Sequence, residues 1–153
     1  MTRVALDSNI LAYLAGVIHV EADKTKVDKA LTVIEQLSNV RLIAPVQALG
    51  ELFIVLRRSG KSAAKARDTV TDMLETFAAP ASEPRTVRAA LDLVVDHKLQ
   101  FWDAMIVSAA ADAGCALLLS EDMQHGFVSR GLTIVNPLAE EAHPKLAALL
   151  AHA

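Results

Sequence analysis

Four carboxylates, Asp7, Glu51, Asp103 and Asp122, stand in stretches that are otherwise apolar. Asp7 interrupts "VALDSNIL". From Leu42 to Leu56, "LIAPVQALGELFIVL", the only polar side chains are Gln47 and Glu51, four apart and therefore on one helical face. Asp103 follows two aromatic residues in "FWDAMIVSAA", and Asp122 follows the apolar run "CALLL" with only Ser120 and Glu121 between. Each acid has an ordinary explanation when taken alone. Asp7 and Asp103 can cap helices, Glu51 can belong to a wet stripe with Gln47, Ile54 and Arg58, and Asp122 can form a turn. Gathered in one crevice, however, four carboxylates repel, and burial raises their proton affinity. A divalent cation removes the conflict, and oxygen ligands without cysteine suit one or two Mg²⁺ or Mn²⁺ ions rather than zinc. A metal so held activates water, orients a phosphodiester and stabilises the leaving oxygen, which points to phosphodiester hydrolysis.

Such acids need a frame that brings them together. Residues 3–6 and 40–44 read as short strands, "CALLL" (115–119) as a buried strand, and "LTIV" (132–135) as a fourth. Between them, 8–15, 24–38, the segment from Pro45 to near Gly60, 62–77, 84–98 and the segment from Phe101 to Gly114 carry helical patterns, and a weakly amphipathic helix is expected over 140–152. Short strands separated by helices imply parallel pairing with crossovers on both faces, an α/β three-layer sandwich around a short-stranded, mostly parallel sheet. In such sheets the functional crevice lies beyond the carboxyl ends of the strands, where Asp7 and "SED" fall.

The 153 residues fit one domain, 1–153, with enough chain to bury a sizeable core. Hydrophobic residues make up 53%, yet the longest apolar run, "LFIVL", is far below the roughly 20 residues of a membrane span. The excess is assigned to core and subunit interface. No signal or transit peptide is evident, and the single cysteine, Cys115, excludes an internal disulfide, so a reducing cytoplasm is expected. Net charge is −3, but "RRSGKSAAKAR" (57–67) holds Arg57, Arg58, Lys61, Lys65 and Arg67 with no acid, leaving ten bases against eighteen acids elsewhere. A basic patch on an acidic body is either a solvated helix end or a phosphate-binding surface. Trp102 is expected to be at least partly buried, with base stacking as the less favoured role.

In "VALDSNIL", "PVQALGELFIVL", "FWDAMIVSAA" and "LLLSEDMQHG", taken in that order across nearly the whole chain, the sequence resembles the PIN-domain family, in particular the VapC-type toxins of type II toxin–antitoxin systems. The resemblance implies that Asp7, Glu51, Asp103 and Asp122 form a quartet binding Mg²⁺ or Mn²⁺ in an RNA-cleaving site, and that Asn9 and Ser120 orient a carboxylate or a metal-held water. It also implies 5′-phosphate and 3′-hydroxyl products, a VapB-type antitoxin that inserts a segment into the site, and a homodimer. One position departs: many relatives carry another Asp where this chain has His125. His125 is either a surface loop residue, a soft extra ligand, or the loss of a second metal position.

Two further readings stay open. A phosphotransfer domain of receiver or haloacid-dehalogenase type also places an Asp after its first strand. The second of these needs another Asp where Asn9 stands, and both need a lysine near a late strand end that is not found here. Alternatively the chain is a PIN-like module that binds RNA or protein without turnover, with His125 as its sequence support.

Overall fold

The computed structural model describes residues 1–151. Its elements run β1 (Thr2–Leu6), α1 (Ser8–Leu14), α2 (Asp23–Gln36), β2 (Val40–Ile43), α3 (Val46–Arg58), α4 (Ala63–Thr76), α5 (Pro84–His97), α6 (Phe101–Asp112), β3 (Leu117–Leu119), β4 (Val128–Ser129), β5 (Leu132–Val135) and α7 (Pro144–Leu150). Helix starts follow local chemistry. The Ser62 side chain accepts from Lys65 N, and Glu83 and Thr86 form a reciprocal capping box ahead of α5 with Pro84 in its first turn.

The sheet order is β2-β1-β3-β5-β4. β1 pairs in parallel with β2 and β3, and β3 with β5, while β4 and β5 are antiparallel. Val4, Ala5, Leu6, Leu117, Leu118, Leu119, Leu132, Ile134 and Val135 are all buried. Since successive strand residues point to opposite faces, both faces must be covered by helices, which makes three layers. The chain leaves β1 for β2 on one side and returns to place β3 on the other. The strand order therefore reverses between the carboxyl ends of β1 and β3, the place where an open α/β sheet leaves a crevice.

Two expectations from sequence require correction. The sheet has a fifth strand, β4, because Arg130 (φ 53°) and Gly131 (φ 81°) form a two-residue turn with both positions left-handed. That turn joins antiparallel strands, and two residues are too few to show alternation. The final helix begins at Pro144 rather than 140, because His143 caps it through Lys145 N, and position 152 lies outside the described residues. At the start of the segment joining α4 to α5, Ala78 bridges to Ile43, and Ala44 N donates to Ala78 O at 2.8 Å, which covers the open edge of β2.

Gly50 lies mid-helix in α3, exposed, and a Cβ built there meets no atom within 4 Å. Its φ is not positive, so neither strain nor crowding requires glycine. Gly50→Ala is expected to raise stability by about 0.5–1 kcal/mol through reduced backbone entropy of the unfolded chain, measured by urea denaturation. No gain would mean that the helix is not limited by that entropy.

Candidate active site

β1 delivers Asp7 to the switch point. Only 3% of its surface is exposed, so both carboxylate oxygens must find partners. Oδ1 accepts from Ser8 N at 2.7 Å, which makes Asp7 the N-cap of α1. Oδ2 accepts from Ser120 Oγ at 2.7 Å and from Asn9 Nδ2 at 3.3 Å. Asp7 thus does the capping job that any Asp there can do, and its second oxygen is held by a residue 113 positions away at the end of β3.

The segment after β3 is secured in turn. Glu121 N donates to Asn9 Oδ1 (3.2 Å) and Met123 N to Ser120 Oγ (3.2 Å). Tyr13 Oη donates to Glu121 Oε1 (2.6 Å), and Lys26 Nζ pairs with Glu121 Oε2 at 3.1 Å. Burial first, and then the bond to the Glu121 carboxylate, raise the Tyr13 hydroxyl above its ordinary range, so it remains a donor. Asn9 and Ser120 therefore brace both the Asp7 carboxylate and the loop carrying Asp122. Tyr13, Lys26 and Glu121 were not singled out from sequence: they meet only when α1, α2 and the post-β3 loop pack, and no spacing announces them. Ser8, read only as a helix start, also donates through Oγ to Glu51 Oε2 at 2.9 Å, tying α1 to α3.

Glu51 and Asp103 are half-buried and Asp122 is exposed. Asp103 lies in the first turn of α6 but does not cap it. The N-cap is Gln100, and no hydrogen bond is made to the Asp103 carboxylate among the described residues. Burial, then the charges of Asp103 and Glu51, push Asp7 up to about 6 against the stabilising bonds from Ser120 and Ser8. Glu51 is raised by burial and by Asp103, and Asp103 by burial and by Asp122. The four acids thus form one chain of mutual repulsion across the crevice. Among the described residues no three histidine, cysteine or acid side chains stand close enough to cage a metal. The charges of these acids nevertheless reach one another across the crevice.

The donor set fits a hard divalent ion: all oxygen, anionic, and with Asp103 and Asp122 free of competing hydrogen bonds among the described residues. Asp122 joins two clefts. One, of about 230 Å³, is lined by Lys98, Gln100, Asp103, Asp122 and Phe127 among others, and the other, of about 280 Å³, by Ser8, Asn9, Tyr13, Glu121 and Asp122 among others.

The basic residues lie to one side. Arg57 and Arg58 end α3, and Lys61 and Lys65 line a separate, open cleft that meets the acid-lined one at Val17. His125 points elsewhere. Its Nδ1 accepts from Asn136 N at 2.9 Å, and its ring stands edge-on to His143 at 5.4 Å. Trp102 is 57% exposed and so only partly buried: Phe101 before it packs against the core, and the buried run of α6 begins two residues on, at Ala104.

A PIN domain family model matches residues 4–128. No curated protein matches the sequence significantly. Among solved structures the chain is similar to VapC20 of Mycobacterium tuberculosis, described as a sarcin–ricin loop cleaving toxin, with a TM-score of 0.63, 16% identity and coverage of 78% of this chain and 89% of the other. It is similar to VapBC2 of Rickettsia felis, solved with a DNA fragment from the promoter (TM-score 0.60, 14% identity, coverage 78% and 87%). It also resembles PAE2754 of Pyrobaculum aerophilum along almost the whole of both chains (TM-score 0.59, 20% identity, coverage 98% and 96%). These likenesses establish the fold, and the family match spans every one of the four acids: the chain belongs to the PIN domain family.

Proposed function

We propose that this chain is a Mg²⁺- or Mn²⁺-dependent endoribonuclease and the toxin of a VapBC-type pair, acting on RNA in the cytoplasm. The observation that carries this reading is the placement of Asp7, Glu51, Asp103 and Asp122 at the switch point, each of the first three with its proton affinity raised by burial and by the charge of another. Asp7, Asp103 and Asp122 would hold one or two ions, with Glu51 as a further ligand or as acceptor of a proton from water. The ion would supply a lowered water pKa and stabilisation of the leaving oxygen.

The protein's own contribution is positioning. Ser120, Asn9 and the Ser8 amide fix the Asp7 carboxylate, and the Ser8 hydroxyl restrains Glu51 so that one of its oxygens remains open. Arg57, Arg58, Lys61 and Lys65 would receive the phosphates leading to the site. The VapBC pairing of a similar structure supports a VapB-type antitoxin partner. Val87, Leu91 and Val95, exposed at four-residue spacing on α5, support a homodimer.

Purified protein incubated with structured RNA is expected to cleave in Mg²⁺ or Mn²⁺, leave 5′-phosphate ends, and stop on chelation. No cleavage under any divalent ion, with RNA still bound, would instead favour the module without turnover. A phosphotransfer role is disfavoured because Asn9, where a second Asp would be required, is engaged with Asp7 and Glu121.

A further inference from the structure

We propose that the cleft between α3 and the start of α6 is a nucleobase subsite, in which Trp102 stacks against one base of the RNA strand whose phosphate lies at the carboxylates. This rests on the ribonuclease reading and extends it to a specific contact. The cleft, about 330 Å³, is lined by Gln47, Gly50, Glu51, Ile54 and Trp102. It shares Glu51 with the acid cluster, and Trp102 directly precedes Asp103. A base in this cleft is therefore attached to the backbone at the reacting phosphate or beside it.

Three features shape the cleft for a flat, apolar group. Trp102 is exposed, and its indole is braced by Phe101, the rings meeting edge to face at 5.0 Å and 69°. Phe101 itself packs against the core, so the indole is held from behind rather than swinging freely. Gly50 lowers the stability of α3 with no packing, turn or strain to account for it, and its missing side chain leaves an open floor beside Glu51. Ile54 adds an exposed apolar wall one helical turn along. Stacking on an aromatic face tolerates any base and acts on single-stranded segments and loops, the forms in which RNA bases are free to splay out. A second copy of the chain is the other conceivable occupant. The small volume and the direct continuity with the acids favour a single base.

Trp102 is the only tryptophan in the chain, so its emission reports on this cleft alone. Short single-stranded RNA titrated into the full-length protein with chelator present is expected to quench that emission, and an abasic ribose-phosphate oligomer of equal length is expected not to. In steady-state cleavage, Trp102→Ala should raise KM about tenfold, and Trp102→Phe, which keeps a stacking face, should recover most of that. Gly50→Leu should fill the floor and abolish quenching while raising the melting temperature, so a folding defect cannot account for its loss. RNA that binds by anisotropy without altering Trp102 emission, equal quenching by the abasic oligomer, or an unchanged KM in Gly50→Leu would overturn the proposal. So would emission that changes on dilution of the protein alone, which would assign the cleft to a second copy. Failure of the ribonuclease reading is a separate result: wild-type protein that cleaves no RNA in Mg²⁺ or Mn²⁺.

Discussion

Asp7→Asn is expected to remove RNA cleavage and to make the protein more stable at pH 7. Residues that merely support a metal ligand typically cost 10–100-fold on mutation, so losing the innermost carboxylate should cost more than about 100-fold. The stability gain follows from the sign of the shift. The Asp7 carboxyl rests at about 6 in the folded chain against 3.8 for a free aspartate. Above pH 6 it is ionised in both states, and the folded state bears the cost of a buried charge. Between pH 6 and 3.8 only the folded state holds the proton, so stability rises as pH falls through this window and levels off below it. Two units correspond to on the order of 2–3 kcal/mol. Asn lacks that gradient, and it keeps an oxygen for Ser8 N and an amide that can donate to Ser120.

Chemical denaturation at pH 7 and pH 4.5 should therefore show the difference between wild type and Asp7→Asn shrinking toward acid. Asp23 and Asp112 are lowered by their hydrogen bonds, and their contributions cancel in that comparison, while Glu51 and Asp103, which repel Asp7, are relieved of its charge in the variant and add to its gain at neutral pH. Mn²⁺ at a hundred times its dissociation constant should stabilise the wild type by about 2.7 kcal/mol, and the variant by much less. A variant that cleaves RNA at the wild-type rate, or that is less stable at neutral pH by several kcal/mol, would refute the assignment of Asp7 as a strained functional acid.

Leu118→Ala is expected to have the largest effect on stability. Leu118 is fully buried on β3, the middle strand, with Ala5 on one side and Ile134 on the other as register partners. Ala5 is too small to fill the space, and strands held on both sides relax little. The loss should fall at about 2–5 kcal/mol, a lost transfer free energy plus an unfilled cavity. For a chain of this size the melting temperature should drop by roughly 4–20 °C. A loss under about 1 kcal/mol in urea denaturation would mean that the sheet centre collapses to fill the gap. Because Leu118 touches no substrate, cleavage per folded molecule should persist at low temperature, in contrast to Asp7→Asn.

Much of the architecture was legible because its signals are local. Apolar residues at helical spacing, capping residues and prolines at helix starts, and short β-branched or leucine runs are written within a few residues of one another. β4 was not, since a two-residue strand has no period and exists only by pairing with β5. Trp102 is partly buried, as an aromatic beside an apolar helix is expected to be, but how far was not legible, because only the packing of α6 decides which residues of its first turn face the core.

The sequence by itself determined which side chains carry charge in apolar surroundings and, through the order of strands and helices, that Asp7 and the "SED" segment leave adjacent strand ends. Tertiary structure alone decided what those acids feel. The pairing of β1 with β3 brings Ser120 to Asp7, the packing of α1 on α3 brings Ser8 to Glu51, and the meeting of α1, α2 and the post-β3 loop joins Tyr13, Lys26 and Glu121. The physical reason is range. Propensity and periodicity act over a few residues, whereas desolvation and charge repulsion depend on distances set by contacts more than a hundred positions apart in the chain.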